Sequence, residues 1–563
     1  MSGLGEILEE NANLREIIRL RELQTAAQLA AAAEQVATRD EQMAAQGQQV
    51  AAQGAQIATL LEQIEALKAS NERFAKHLEF LEKRRQLAAA ERFDASERQS
   101  PLFEGLAVDA PARDPEIEEK EAGNDENEKQ DKRKTAKHPR KGRRDVSALP
   151  FPKRRVEAPV NPSTCEKCHG DRQLIEPRIS HRVGWEPGRF TVVEVCQERC
   201  QCLACPKAEI WTAPEPFLLP LAMCDDGLLA RVLVDKFGDH LPLNRQADRM
   251  TREGFPINEN VLCGWVGQGH EQIRLLVRSL RQQVASAGTL LGDDSGFPVQ
   301  DGKDGKLANG RLWVFSDKAQ AFFAFSRTKE GEHPTAVLSE LGVSGTRLVV
   351  DGGSEYNDAV RSLGLSRGGC WSHLRRYFFN ASLQHDDAQA GLATIKDLFL
   401  IEREIAEAST TERLAARQRR SAPLVDAFFS WVKALVPKVR PGSKLGDAVG
   451  YAISQEQRMR LFLAHGDVPL HNNLSELLLR QPIVGRKNWL FAGSEGGAQA
   501  AADWFSLIAS CRMVKVDPWT YLHDVFGRLQ DHPAKWVHEL TPLNWRLAVE
   551  AGDIVPRSPV GAP

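Results

Sequence analysis

The chain has 563 residues, 73 Lys and Arg against 76 Asp and Glu, and a formal net charge of −3. At about 100–200 residues per domain, this length predicts roughly three to five domains. No run of about 18 apolar residues occurs, so no membrane span is expected; the N-terminus has early acids and no compact apolar stretch, unlike a secretory signal. Near-neutrality argues against a nucleic-acid partner only if the charge is evenly spread.

Residues 1–92 read as an N-terminal helical coiled coil. Leu29, Val36, Met43, Val50, Ile57 and Ile64 recur at spacing seven, and Leu60, Leu67, Phe74 and Leu81 form a second row three residues later. Two such rows are the a and d positions of a heptad, and Asn71 at the next a position is a register-setting polar residue. The second row is poor before Leu60, so the firm coiled coil is expected over 57–85.

Residues 93–160 lose every apolar period and read as a disordered linker arm. Stretch 114–128 holds eight acids and one base, whereas 129–155 holds twelve bases and two acids. The overall neutrality is therefore an average over segregated blocks, and the basic block suits a DNA phosphate backbone.

Residues 161–215 read as a zinc-binding ribbon. Six of the ten cysteines fall between Cys165 and Cys205, which points to metal binding in a reducing compartment. Cys165 and Cys168 form one Cys-x-x-Cys knuckle and Cys202 and Cys205 the second, four thiolates for one structural Zn2+. Cys196 and Cys200 compete for the same role.

Residues 216–285 read as a helical, helix-turn-helix-like DNA-binding region. Leu243–Arg252 is a helix, Gly254–Pro256 a turn, and Asn258 caps a second helix. Arg245, Arg249 and Arg252 give the first helix a basic face, although a plain helical hairpin has the same pattern.

Residues 286–513 read as the catalytic domain, with a helical insertion at about 373–465; 514–563 is a C-terminal helical segment and tail. Asp293 follows a short apolar run, as an acid at a strand end would. Asp351 follows Leu348-Val349-Val350, and Glu476 falls in the first turn of a helix capped by Asn472 or Asn473. Acids from two strands and a helix can converge on two Mg2+ ions, or Mn2+, and drive in-line phosphoryl transfer. Cys370 and His373 form a Cys-x-x-His pair with no second pair beside it in sequence. His373, Arg375, Arg376, Arg486 and Lys487 are candidate DNA contacts.

Several blocks together resemble the insertion-sequence-66 transposases: RFDASERQSPLFE (92–104), the cysteine pairs, KFGDHLPLNRQADRMTREGFPI (236–257), CWSHLRRYF (370–378) and NNLSELLLRQPIVGRKNWLFAGSEGGAQAAA (472–502). The resemblance implies a multidomain α/β protein with a ribonuclease-H-like core. It also implies an Asp-Asp-Glu triad, which by motif is Asp293, Asp351 and Glu476, with Asp294 the rival for the first position. The implied activity is cleavage at terminal inverted repeats and strand transfer into target DNA. A homodimer or higher oligomer, small accessory proteins and a bacterial, nucleoid-associated cytoplasmic location are expected with it. The sequence departs from the family at Asp294-Ser295, Gly353 and His471. A catalytically inactive DNA-binding derivative and a nuclease without strand transfer are the alternatives.

Overall fold

The computed structural model describes residues 9–36 with scattered neighbours up to 68, then 146–159, 172–186, 188–202, 210–300 and 306–557. The expected firm coiled coil (57–85) lies almost wholly outside these residues, as does most of the linker arm. The chain divides into two units, Met1–Phe93 and Asp94–Pro563.

In the first unit, residues 9–36 form one helix, α1, rich in Ala, Glu, Gln and Leu, which lose little rotamer freedom in a helix. Its apolar side chains Leu14, Ile17, Leu20 and Leu29 are exposed.

The second unit opens with a small sheet. Strands β2 (Arg172–Glu186) and β3 (Arg189–Cys202) form a long antiparallel hairpin; β1 (Lys153–Ala158) joins β3 in parallel, and β4 (Trp211–Thr212) pairs with its far end. Helices α2 (Asp226–Leu233), α3 (Leu243–Arg252) and α4 (Glu259–Ala285) follow. The expected Asn258 cap is present, its side chain accepting from the Asn260 amide. The second helix of the hairpin is 27 residues long. Ile273, Leu276, Leu280 and Val284, spaced three and four apart, place one of its faces in the main core.

The central sheet has strand order β7-β6-β5-β8-β9. Strands β5 (Thr289–Gln300), β6 (Leu307–Ser316) and β7 (Ala321–Ser326) are an antiparallel meander. Helix α5 (Glu332–Glu340) crosses to β8 (Arg347–Val349), and α6 (Asn357–Ser362) to β9 (Ser366–Gly368); β8 lies parallel to β5 and to β9. Leu312, Trp313, Val314 and Phe315 are all buried, so both faces of β6 are covered.

Between β9 and the next sheet-facing helix the chain is helical: α7 (Trp371–Ser382), α8 (Ala388–Glu404), α9 (Thr410–Ala416), α10 (Ala422–Leu435), α11 (Lys444–Met459) and α12 (Leu461–Ala464). Trp371 anchors this region. Its ring lies 5.5 Å from Phe428, 6.0 Å from Phe429 and 6.2 Å from Phe462. Its indole N–H donates to the Met459 carbonyl at 3.0 Å. Leu291 of β5 and Val349 of β8 belong to the same apolar cluster, so the insertion packs on the two central parallel strands.

Helix α13 (Asn473–Trp489) then returns to the sheet, followed by α14 (Glu495–Met513), α15 (Pro518–Leu529) and α16 (Pro542–Ala551). Helix α14 covers the edge strand β7. The Ser506 hydroxyl accepts from the Phe323 amide, and Ser510 both accepts from and donates to the backbone of Ala321. These bonds satisfy backbone groups that a sheet edge would leave open. Among the described residues no helix is long and apolar enough to cross a membrane.

Candidate functional site

Asp293 lies in the middle of β5, not at its end as the sequence suggested, because the strand runs on to Gln300. It stands opposite Val314 of β6. Asp351 follows the end of β8, and Glu476 is in the first turn of α13. Since β5 and β8 are parallel neighbours with Leu291 opposite Val349, Asp293 and Asp351, each two residues further on, lie side by side.

The three carboxylates share one electrostatic environment. Burial pushes the Asp293 carboxyl well above its ordinary value, and the charges of Asp351 and Glu476 push it further. Among the described residues Asp293 has no cationic partner; its Oδ1 accepts only the Asp294 amide, at 2.9 Å. Asp294 is placed differently. Successive strand residues point to opposite faces, and Asp294 meets Arg311 and Lys329, each at 3.5 Å. Lys329 also binds Glu355 at 3.2 Å. Burial still raises Asp294 to about 6, against the pull of these two cations.

Two contacts fix this arrangement, and the sequence signalled neither. The buried Asn472 amide donates to the Gly292 carbonyl at 3.2 Å, tying the start of α13 to the residue before Asp293. Arg367 on β9, also buried, donates to the carbonyls of Asp351 at 2.7 Å and Gly353 at 2.6 Å and to Asn357 at 2.7 Å. The loop carrying the second acid is therefore held from below. Burial lowers the Arg367 guanidinium to about 10, helped by the nearby Arg458.

His373 and Arg376 come from α7. The His373 ring reaches Glu476 at 3.5 Å and Arg376 reaches its other oxygen at 3.4 Å. Burial lowers the His373 imidazole, with Glu476 opposing the shift. Cys370, beneath them, is fully buried, and its thiol is pushed up to about 12 by burial. His471 is stacked on Phe399 at 5.5 Å. Arg375 is half-buried on the same helix, and Lys487 is exposed. Arg486 donates to the Gly296 carbonyl, so it braces α13 against β5. On α3, Arg245 is exposed, whereas Arg249 is paired with the buried Asp235.

Of the proposed zinc ligands, Cys165, Cys168 and Cys205 lie outside the described residues. Cys202 is buried at the end of β3, with Cys200 two residues before it on the same strand face. The Cys196 sulfur accepts from Arg155 at 3.2 Å.

A family profile described as "Transposase IS66 family" matches residues 222–500, a span containing all three acids, and a second, "IS66 C-terminal element", matches 506–543. The uncharacterized protein y4hP of Sinorhizobium fredii is 32% identical over 416 residues, covering 69% of this chain and 75% of that protein. The uncharacterized protein y4qI of the same organism is 27% identical over 435 residues, covering 74% and 79%. Among solved structures, the Drosophila P element transposase strand transfer complex matches 51% of this chain and 92% of that chain, at 11% identity and a TM-score of 0.29. The family profile, spanning the central sheet and the helices that follow it, marks the chain as a transposase. More narrowly, the chain belongs to the IS66 transposase family.

Proposed function

We propose that the protein binds the terminal inverted repeats of an insertion sequence and catalyses DNA cleavage and strand transfer with Asp293, Asp351 and Glu476. The observation that carries this reading is that neighbouring parallel strands β5 and β8 and the start of α13, tied to Gly292 by Asn472, bring the three carboxylates to one place, with no cationic partner for Asp293 among the described residues. Such mutual repulsion is costly in a purely structural cluster and is relieved by bound cations. The sheet, with one acid on its central strand and the next beside its parallel neighbour, supports a ribonuclease-H-like core.

The donor set is all oxygen and suits Mg2+ or Mn2+. Asp293, Asp351 and Glu476 would hold the ions, two in the expected arrangement, which stabilise negative charge on the phosphoryl oxygens. In the first reaction, water attacks the scissile phosphorus and the bond to the 3′ oxygen breaks, freeing a 3′-hydroxyl. In the second, that hydroxyl attacks a target phosphodiester, forming one P–O bond as another breaks. Arg376, exposed and already at the rim of the acids, meets DNA phosphate there. His373, Arg375 and Lys487 line the approach with it, and Arg245 and Arg249 contact DNA from α3. Arg486 contributes by bracing α13.

The zinc ribbon, with Cys165, Cys168, Cys202 and Cys205 around a structural Zn2+, and the basic arm serve DNA binding. The exposed apolar residues of α1 support pairing of protomers into a homodimer or larger assembly, on which two DNA ends are brought together. Small accessory proteins and a nucleoid-associated setting belong to the same reading. The test is incubation of full-length protein with labelled element ends, Mg2+ and target DNA. Joined product is expected from the wild type and none from Glu476→Gln; unchanged joining by that variant refutes the triad.

A further inference from the structure

The Cys370–His373 pair has no companion in sequence, but the fold supplies one. The Cys370 sulfur, a ring nitrogen of His373 and a carboxylate oxygen of Glu476 all lie within 4.8 Å of one another. His373 Nδ1 and Glu476 Oε1 face each other at 3.5 Å. Both atoms are shielded from solvent and neither has a hydrogen-bond partner. The other Glu476 oxygen, Oε2, is the one Arg376 approaches. Two buried polar atoms left without hydrogen bonds are costly, and with Nδ1 unprotonated the pair is a fitting donor set for a divalent ion. Nitrogen and oxygen ligands about 2.1 Å from one ion stand roughly 3–3.5 Å apart, close to the separation here.

We infer that His373 is a direct ligand of the cation held by Glu476. This makes a mixed nitrogen–oxygen site that takes Mn2+, which accepts imidazole nitrogen more readily, in preference to Mg2+. The inference rests on the reading of Glu476 as a cation ligand. It adds that one donor of this site comes from the helical insertion, not from the sheet or α13. Imidazole is a softer donor than carboxylate and shifts the preference away from Mg2+, which favours oxygen and keeps its waters. Cys370 closes the third side, so more thiophilic ions would find a further donor there. The positions of Arg376 and His373 on successive turns of α7 let one helix serve both substrate and cation.

The test uses full-length protein loaded with Mn2+ alone. Mn2+ is bound poorly by thiolate clusters, so the cysteine-rich segment does not obscure the signal. Pulsed electron paramagnetic resonance then reads nitrogen hyperfine coupling directly, and calorimetry with Mg2+ competition reads selectivity. Expected is nitrogen coupling in the wild type that disappears in both His373→Ala and His373→Gln. In those variants the preference for Mn2+ over Mg2+ falls by at least about tenfold. Bound Mn2+ without nitrogen coupling in the wild type overturns the inference while sparing Glu476, and does so without reference to any variant. Coupling that persists in both variants also overturns it. Mn2+ affinity untouched by Glu476→Gln overturns the underlying reading instead, and absence of Mn2+ binding overturns both.

Discussion

The side-chain amide of Asn472 donates to the backbone carbonyl of Gly292 across 180 residues of sequence, at 3.2 Å. This bond joins the helix carrying Glu476 to the strand carrying Asp293, one residue from the acid. Replacing Asn472 with Ala leaves a buried carbonyl unpaired, at a cost of about 1–3 kcal/mol. Denaturant unfolding is expected to show that loss. DNA cleavage is expected to fall further than stability does, because the third acid loses its register against the first. Wild-type stability in this variant would show that the bond is dispensable.

The raised carboxyls give a pH dependence with a definite sign. In the folded state Asp293 lies well above 3.8 and Asp294 is at about 6, so between pH ~4 and 6 the folded chain binds more protons than the unfolded one. Stability contributed by these groups is present below that window and is lost as pH rises through it. Without divalent cations, Asp293→Asn should therefore be more stable than wild type at pH 7, by about 1–3 kcal/mol, and close to it at pH 4. Added Mg2+ should raise the melting temperature of the wild type and have little effect on the variant. A variant less stable than wild type at both pH values refutes the argument.

Arg367 fixes the Asp351 loop through two carbonyls and Asn357. Arg367→Ala removes the donor from the part-buried carbonyls of Asp351 and Gly353, at about 1–3 kcal/mol, while Asn357 keeps its contact with Arg458. Arg367→Lys is expected to rescue little, since a single ammonium lacks the planar fork that spans three acceptors. Cleavage by the Lys variant, measured under conditions where it remains folded, should fall by about a hundredfold, as misplacement near 1 Å does elsewhere. Full activity in the Lys variant would show that charge alone suffices.

Asp503 on α14 binds His270 at 2.7 Å and Arg281 at 2.6 Å, both on α4. The carboxylate is buried between α4 and α14, and its partners are none of the three acids. Asp503→Asn should destabilise the fold by about 3–5 kcal/mol, because one partner of a buried ionic network is removed. At temperatures where the variant remains folded, cleavage should be close to wild type. A selective loss of activity without a loss of stability would contradict this structural role.

The sequence carried local features well and long-range ones poorly. The α3 boundaries, the Asn258 cap and the strand leading to Asp351 follow from periodicity and capping, which act within a few residues. The length of β5 was hidden because GDDSGFPVQ has the composition of a loop. Pro298 is tolerated there since, past Leu291, the side of β5 away from β6 is met only by the bridge to Ala492, which uses the Pro298 carbonyl and the Gln300 amide and needs no N–H from Pro298. The choice between Asp293 and Asp294 was equally closed to sequence. Alternation separates the two, but only Arg311 and Lys329, from other strands and loops, show which one is neutralised. Arg376 meets Glu476 across 100 residues, a pairing that no local period encodes.

The insertion between Asp351 and Glu476 has a consequence for the protein during its synthesis. Its core closes against Leu291 and Val349, the strand residues beneath the first two acids, and the third acid is translated only after it. A nascent or prematurely terminated chain that ends inside the insertion carries two acids without the third. On the proposed chemistry such a chain can occupy DNA but cannot cut it. If the proposed triad holds, translation itself would act as a safety catch, with cutting activity waiting on the last acid to be made.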